Sequence, residues 1–334
     1  MSRIMCGFVF FSFYGLSGHI GTDWYNYLEM YNNTSLGLEP GFTFLMNLVS
    51  VFNGNYQVFK ALYFLIFIYF FNRLLKIHCI SPSLAYFLLM ALAPILFIDS
   101  YRNALGIVIA MQAIPRIGKI KWNTAVLWIL LASLFHISSL LFLVVFVFNK
   151  WISRKNLLII AVAVAFFGLF LLPNFLLDII VEYVANYFQL EARYLYYFID
   201  IKPYGISIGL VEKLFSLMVM FYFYNTLKEK NTQPILFNMS FFYVLIYLTF
   251  FNFEVIINRL SLIFILPYFY VLIYSSSFAS KRSNRALILV FIFTTGLLKV
   301  ALSYSSEIYK YDNVLIEPDA INKRVTVRDK HYLL

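Results

Sequence analysis

The stretch LLIIAVAVAFFGLFLL, residues 157–172, holds no polar side chain. Long apolar runs of this kind recur along the chain, and they restrict its fold more than any other feature. A half-buried strand would alternate apolar and polar residues, and these runs do not. Lipid is the solvent that suits them. In lipid every backbone polar group must be satisfied within the spanning structure, which leaves helical bundles and closed barrels. A barrel strand would again alternate. Composition agrees: 62% of the 334 residues are hydrophobic and 13% are charged, against roughly 45–50% and about 25% in soluble domains. The expected fold is all-α, a polytopic integral membrane helical bundle.

Eleven membrane helices are expected, at about residues 3–18, 57–76, 81–98, 102–117, 122–135, 137–150, 156–172, 207–227, 234–252, 256–275 and 286–304. A span takes about 20 apolar residues, so 122–135 and 137–150 are too short to cross alone. Lys119 and Lys121 before them, and Lys150 and Arg154 after them, predict a hairpin of two short, broken crossings with His136 at its tip. One longer helix with an interior histidine is the other reading. Residues 39–52 form a short apolar stretch opened by Pro40, read as a partly inserted outer helix with Asn53–Asn55 as its turn. The chain thus divides into a membrane domain over 1–304, with outer loops at about 19–56 and 173–206, and a tail over 305–334. The amino terminus has Arg3 and no small-residue cleavage site, and reads as a retained first helix.

Charge sets the orientation. With a cytoplasmic amino terminus, basic clusters such as Arg73–Lys76, Arg116–Lys121, Lys150–Lys155 and Lys281–Arg285 fall at the cytoplasmic turns, as the positive-inside rule requires. The formal charge of +10 is therefore mostly topogenic. It is not a nucleic-acid footprint, and no nucleic acid is expected as a partner. Eleven crossings put the tail outside. The first outer loop is acidic, with Asp23, Glu29 and Glu39 and no lysine or arginine between His19 and Phe42.

Seven basic residues run against the trend: Lys60, Arg102, Arg193, Lys202, Lys213, Arg259 and Lys299. Ionisable groups in a span are costly. One reading neutralises each locally, Arg102 by Asp99, Arg259 by Glu254 and Lys213 by Glu212; the other places them together in an outward-facing pocket for an anion. The long loop at 173–206 is rich in aromatic residues, which serve either an interface belt or stacking on sugars. No P-loop, Gly-rich dinucleotide turn, HExxH or GxSxG motif is present. There is no DxD pair, and four histidines and two cysteines are too scattered for a metal cluster or a disulfide framework. No metal or cofactor is expected.

Several short motifs stand in a definite order: GTDWYNYLEMYNN…EPGF after the first helix, SYRNALGIVIAMQAI opening the fourth, then LFHISSLL, INRLSLIF and a late YKYDN. In that order and topology the chain resembles the EpsG/Wzy-like family of bacterial polysaccharide polymerases. The match falls on Asp23, Tyr27, Glu39, Arg102, His136, Arg259 and Tyr311. It departs from the family at Asn103, often glutamine, and at Lys310, where a proline often separates the two tyrosines.

The resemblance implies a GT-C-like glycosyltransferase fold in the bacterial inner membrane. It implies transfer of a growing glycan from undecaprenyl pyrophosphate to the non-reducing end of a new lipid-linked repeat unit, at the outer face and without a nucleotide sugar. Donor and acceptor are both undecaprenyl-pyrophosphate-linked oligosaccharides, and a chain-length regulator is the expected protein partner. Arginine suits a pyrophosphate leaving group, so Arg102 and Arg259 are assigned to it, with Arg193 or Lys202 assisting and Tyr27 and Tyr311 also binding substrate. An acceptor hydroxyl needs a base near the outer surface. Asp23 is placed first for that role, with Glu39 and His136 in reserve; Asp23 could instead cap a loop helix starting at Trp24. A flippase or other transporter of lipid-linked sugars, and an O-antigen ligase-like transferase, are the competing functions.

Overall fold

A computed structural model describes residues 2–33, 39–117, 119, 121–168, 207–230, 232–250, 261–315 and 324–326. Arg193, Lys202, Arg259 and Glu254, with the whole of the long loop at 173–206, lie outside them. Among the described residues the regular elements are helices, apart from one isolated antiparallel bridge between Ser17 and Asn313. The chain forms two compact units, Met1–Val144 with Leu289–Leu334, and Val145–Ile288.

In the first unit, α1 (Arg3–Phe10) runs on through a π-helical turn, Phe11–Gly15. Next come α2 (Trp24–Asn32) in the first loop and α3 (Pro40–Val51), which has its proline in the first turn. Asn53 takes a positive φ of 54° in the turn after α3. Asn55 then caps α4 (Tyr56–Ile77), its side chain accepting the Val58 N–H at 3.0 Å. The expected crossing at 81–98 is broken at Ala93 into α5 (Pro82–Leu92) and α6 (Pro94–Ile98), because Pro94 cannot continue a helix through its missing N–H. α7 (Tyr101–Ala110) passes through a 3-10 turn at Met111–Ala113 into α8 (Ile114–Ile117). α9 (Trp122–Ser133) ends just before His136, and a 3-10 helix follows at Ile137–Phe146.

Aromatic rings build the core of this unit. Phe10, Phe42, Phe59, Tyr63, Phe64, Phe67, Phe97 and Tyr101 are buried; Phe10 stacks on Phe67, and other pairs meet edge-on, as in Phe10–Phe97 at 4.9 Å and Phe42–Phe59 at 5.2 Å. Such pairs add about 0.5–1.5 kcal/mol beyond area burial. The packing seats α3 on α4 and α4 on α7, and so fixes where the first loop meets the start of α7.

The second unit contains α10 (Arg154–Phe166), α11 (Ile208–Glu229), α12 (Pro234–Thr249) and α13 (Ile265–Phe278). α14 (Arg282–Ser303) follows. α11, α12 and α13 pack on one another. Lys213 and Glu212 are buried and paired at 2.7 Å, as expected. Tyr268 donates to the same Glu212 oxygen at 2.7 Å. The ammonium is enclosed by the rings of Tyr243, Tyr247 and Tyr268 at 4.8–5.1 Å. Among the described helices, α4, α11 and α14 are long and apolar enough to cross a membrane. The remaining apolar helices are shorter.

Candidate active site

Two close backbone approaches bring the first loop and the His136 turn together. Gly41 N–H donates to Leu134 O at 2.7 Å, and a Cβ at Gly41 would stand 2.9 Å from that oxygen. Gly106 on α7 leaves room for the turn in the same way, since a Cβ there would run into Ser139 Oγ and stand 3.2 Å from the His136 Cβ. Glycine at both positions allows the contact.

Glu39, Arg102 and His136 therefore converge, although they lie on three separate elements. Arg102 Nη1 donates to Glu39 Oε2 at 2.9 Å, and His136 Nδ1 lies 3.0 Å from Glu39 Oε1. The three side chains are 17–25% exposed, so the cluster is partly open. Burial pushes the Glu39 carboxyl up, but the His136 hydrogen bond and the Arg102 charge outweigh it and bring it down to about 2. An ionised carboxylate only accepts, so the proton between Glu39 and His136 belongs to Nδ1. Nε2 is then the nitrogen left to handle a substrate proton.

Arg102 is held from behind by aromatic faces, with Tyr27 at 5.3 Å and Phe42 at 5.5 Å from its guanidinium carbon. Tyr63 donates to the carbonyls of Tyr101 (2.7 Å) and Arg102 (3.1 Å) and ties α4 to the first turn of α7. Arg102 Nε is buried without a hydrogen-bond partner.

The expected pairing of Arg102 with Asp99 is not what forms. Asp99 is three residues away, on the chain between α6 and α7, and is buried. Its Oδ1 accepts the N–H groups of Thr22 (2.6 Å) and Asp23 (3.2 Å), and its Oδ2 accepts the Tyr309 hydroxyl (2.6 Å). With both oxygens engaged by neutral donors, Asp99 leaves Arg102 to Glu39. Asp23 occupies the N-cap position of α2, but its side chain makes no capping hydrogen bond, which weakens the capping interpretation. Glu29 is exposed on the same helix, whereas Tyr27 is buried and donates to Asp99 O at 2.9 Å.

Lys60, expected among the cations of an anion pocket, has another task. It is buried, and its ammonium donates to Ser17 O (2.9 Å), Ser17 Oγ (2.7 Å) and Gly18 O (3.1 Å). All of its donors are thus used on the chain after α1. Tyr311 stacks on Phe13 at 4.4 Å and donates to Phe13 O at 3.2 Å, and remains 37% exposed.

Apolar helices around a partly open cluster of arginine, glutamate and histidine define a helical membrane protein with a polar cluster set among its helices. The model of the EpsG family matches residues 2–313, and the chain belongs to that family. Membership brings a polysaccharide-polymerase-like role of the glycosyltransferase type. No curated protein and no solved structure matches the chain.

Proposed function

We propose that the chain is a polymerase for a surface polysaccharide (O-antigen, capsule or exopolysaccharide). It moves a growing glycan from undecaprenyl pyrophosphate to the non-reducing end of a lipid-linked repeat unit, at the outer face of the inner membrane and without a metal. The observation that carries this reading is the Arg102–Glu39–His136 cluster in a chain matched by the EpsG family over residues 2–313. The acceptor hydroxyl oxygen bonds to the donor's anomeric carbon. The bond from that carbon to the pyrophosphate oxygen breaks, and the pyrophosphate leaves with the electron pair. Arg102, backed by aromatic rings, stabilises that charge. His136 Nε2, oriented through Nδ1 by Glu39, takes the hydroxyl proton. Asp23 binds the acceptor sugar in the adjoining loop and is the other group able to serve as base. Arg259, Arg193 and Lys202 are proposed as further donor contacts, Tyr27 as the support behind Arg102 and Tyr311 as a surface contact for substrate. Deletion in the native host tests the function: single capped repeat units in place of a ladder are expected, and loss of all capped lipid would replace the polymerase with a flippase or ligase.

We further propose eleven crossings, a GT-C-like arrangement and an outer carboxyl terminus. Parity supports this topology. Gly18, after the first helix, donates to Asp312 O at 3.0 Å, so the first loop and the tail share one face of their unit. An even number of crossings must separate them, and ten does so. Alkaline phosphatase fused after Tyr304 should be active, and fused after Lys230 silent. An active Lys230 fusion would reverse the assignment.

A further inference from the structure

The proposed chemistry gives the chain after α14 no task beyond the Tyr311 surface contact, yet that chain is tied closely to the first loop. Gly21 N–H donates to Ile308 O (3.0 Å), Gly18 N–H to Asp312 O (3.0 Å) and Val314 N–H to Leu16 O (3.1 Å). The last two bonds flank the Ser17–Asn313 bridge. This is the pattern of a non-hydrogen-bonded antiparallel pair, whose Cα atoms lie about 4.5 Å apart. Tyr309 reaches further in, to Asp99 Oδ2, while Asp99 Oδ1 holds the amides of Thr22 and Asp23. Gly21 turns between them with φ of 90°, and a Cβ there would run into Asp99 Oδ1. On its other side, the Asp99 carbonyl accepts the hydroxyl of Tyr27, whose ring backs Arg102. Arg324 Nη2 fastens the strap to itself through Lys310 O at 2.7 Å.

We propose that residues 307–313 are a positioning element of the active site, a strap that acts through Tyr309 and Asp99. It holds the loop carrying Asp23 and Tyr27 at a fixed height against the helix carrying Arg102. A buried carboxylate needs its donors, and Tyr309 supplies one of them from the far end of the chain. Without it Asp99 keeps the loop amides alone, the tail loses its link to Asp99 and is held less firmly, and the acceptor side of the site loosens relative to the donor side. The effect on catalysis rests on the polymerase reading; the strap itself does not.

The test uses full-length protein in lipid with Cys6 and Cys79 replaced. Tyr309→Phe should lower polymerisation of a lipid-linked repeat unit at least tenfold, and amides of residues 19–33 should exchange hydrogen at least tenfold faster. Cysteines at positions 17 and 313 suit a disulfide, because a Cα separation near 4.5 Å lies within the range of about 4.4–6.8 Å that a disulfide spans. In the Tyr309→Phe background, oxidation of Ser17→Cys/Asn313→Cys should restore both polymer and slow exchange, and reduction should remove both again. Failure of the disulfide to form, normal polymer and exchange in Tyr309→Phe, or no restoration by the disulfide would each overturn the strap. If the parent protein makes no polymer while the exchange pattern holds, the polymerase reading falls and the strap stands.

Discussion

Arg102→Ala is expected to abolish polymer while the protein stays in the membrane at its normal level. Its guanidinium is the described cation that joins the Glu39–His136 cluster, with Nη1 on Glu39 at 2.9 Å and Tyr27 and Phe42 behind it. Removing one preorganised donor from a developing charge costs about 10²–10³ in rate, and here the leaving group is a pyrophosphate. Arg102→Lys should recover little, because an ammonium is a point charge without the planar fork. The variant also has a signature that does not depend on turnover. Glu39 sits at about 2 against an ordinary 4.5. Such a depressed carboxyl contributes stability that is fully present above pH 4.5 and is lost as pH falls through 2. Without the Arg102 charge the carboxyl rises toward its ordinary value, so the acid loss of stability, which starts near pH 4.5 in both proteins, should be smaller in the variant and complete at a higher pH. Disappearance of Arg102→Ala from the membrane would make the residue a structural partner of Glu39 and remove it from the chemistry.

His136→Asn should lose most turnover, by about 10²–10⁴, the usual worth of a general base. The asparagine amide can still donate to Glu39 from near the Nδ1 position but has nothing in place of Nε2. Asp23→Asn should cost less than tenfold in rate and mainly raise the acceptor concentration required. Glu29→Gln should be mild, since that side chain is exposed on α2. Turnover measured against acceptor concentration separates the candidates. A large loss in Asp23→Asn with a mild effect in His136→Asn would give the proton to Asp23.

The helices were readable because lipid permits few solutions: an apolar run of sufficient length must close its own hydrogen bonds. Pro40 and Asn55 marked the ends of α3 and the start of α4 through local rules, and Glu212 beside Lys213 forms the neighbour pair expected. Proximity in sequence misled for Arg102. Asp99 is the nearer acid along the chain, but loop amides and a tail hydroxyl already engage it, and Glu39, from a separate helix start, takes its place. That outcome depends on Gly41 meeting Leu134 and on Gly106 leaving room for Ser139, contacts with no periodic signature. Lys60 looked like a cation for substrate because its sign was wrong for its place; its carbonyl partners come from a turn that hydropathy does not describe. YKYDN stood out as a motif, but nothing in it says that Tyr309 reaches Asp99.

The pairing of Ser17 with Asn313 also sets an order of events during synthesis. Chains are made from the amino end at about 5–20 residues per second, so the two strands leave the ribosome roughly 15–60 s apart. Asp99 is made after the loop and precedes Tyr309 by roughly 10–40 s at the same rate, so the loop and Asp99 wait for a partner not yet translated. On the proposed reading, the loop beside Arg102 receives its last tie only after the final long helix has been made. If both the strap and the polymerase reading hold, a prematurely released product ending before Tyr309 would have most of its helices but an unheld first loop, and should make little polymer.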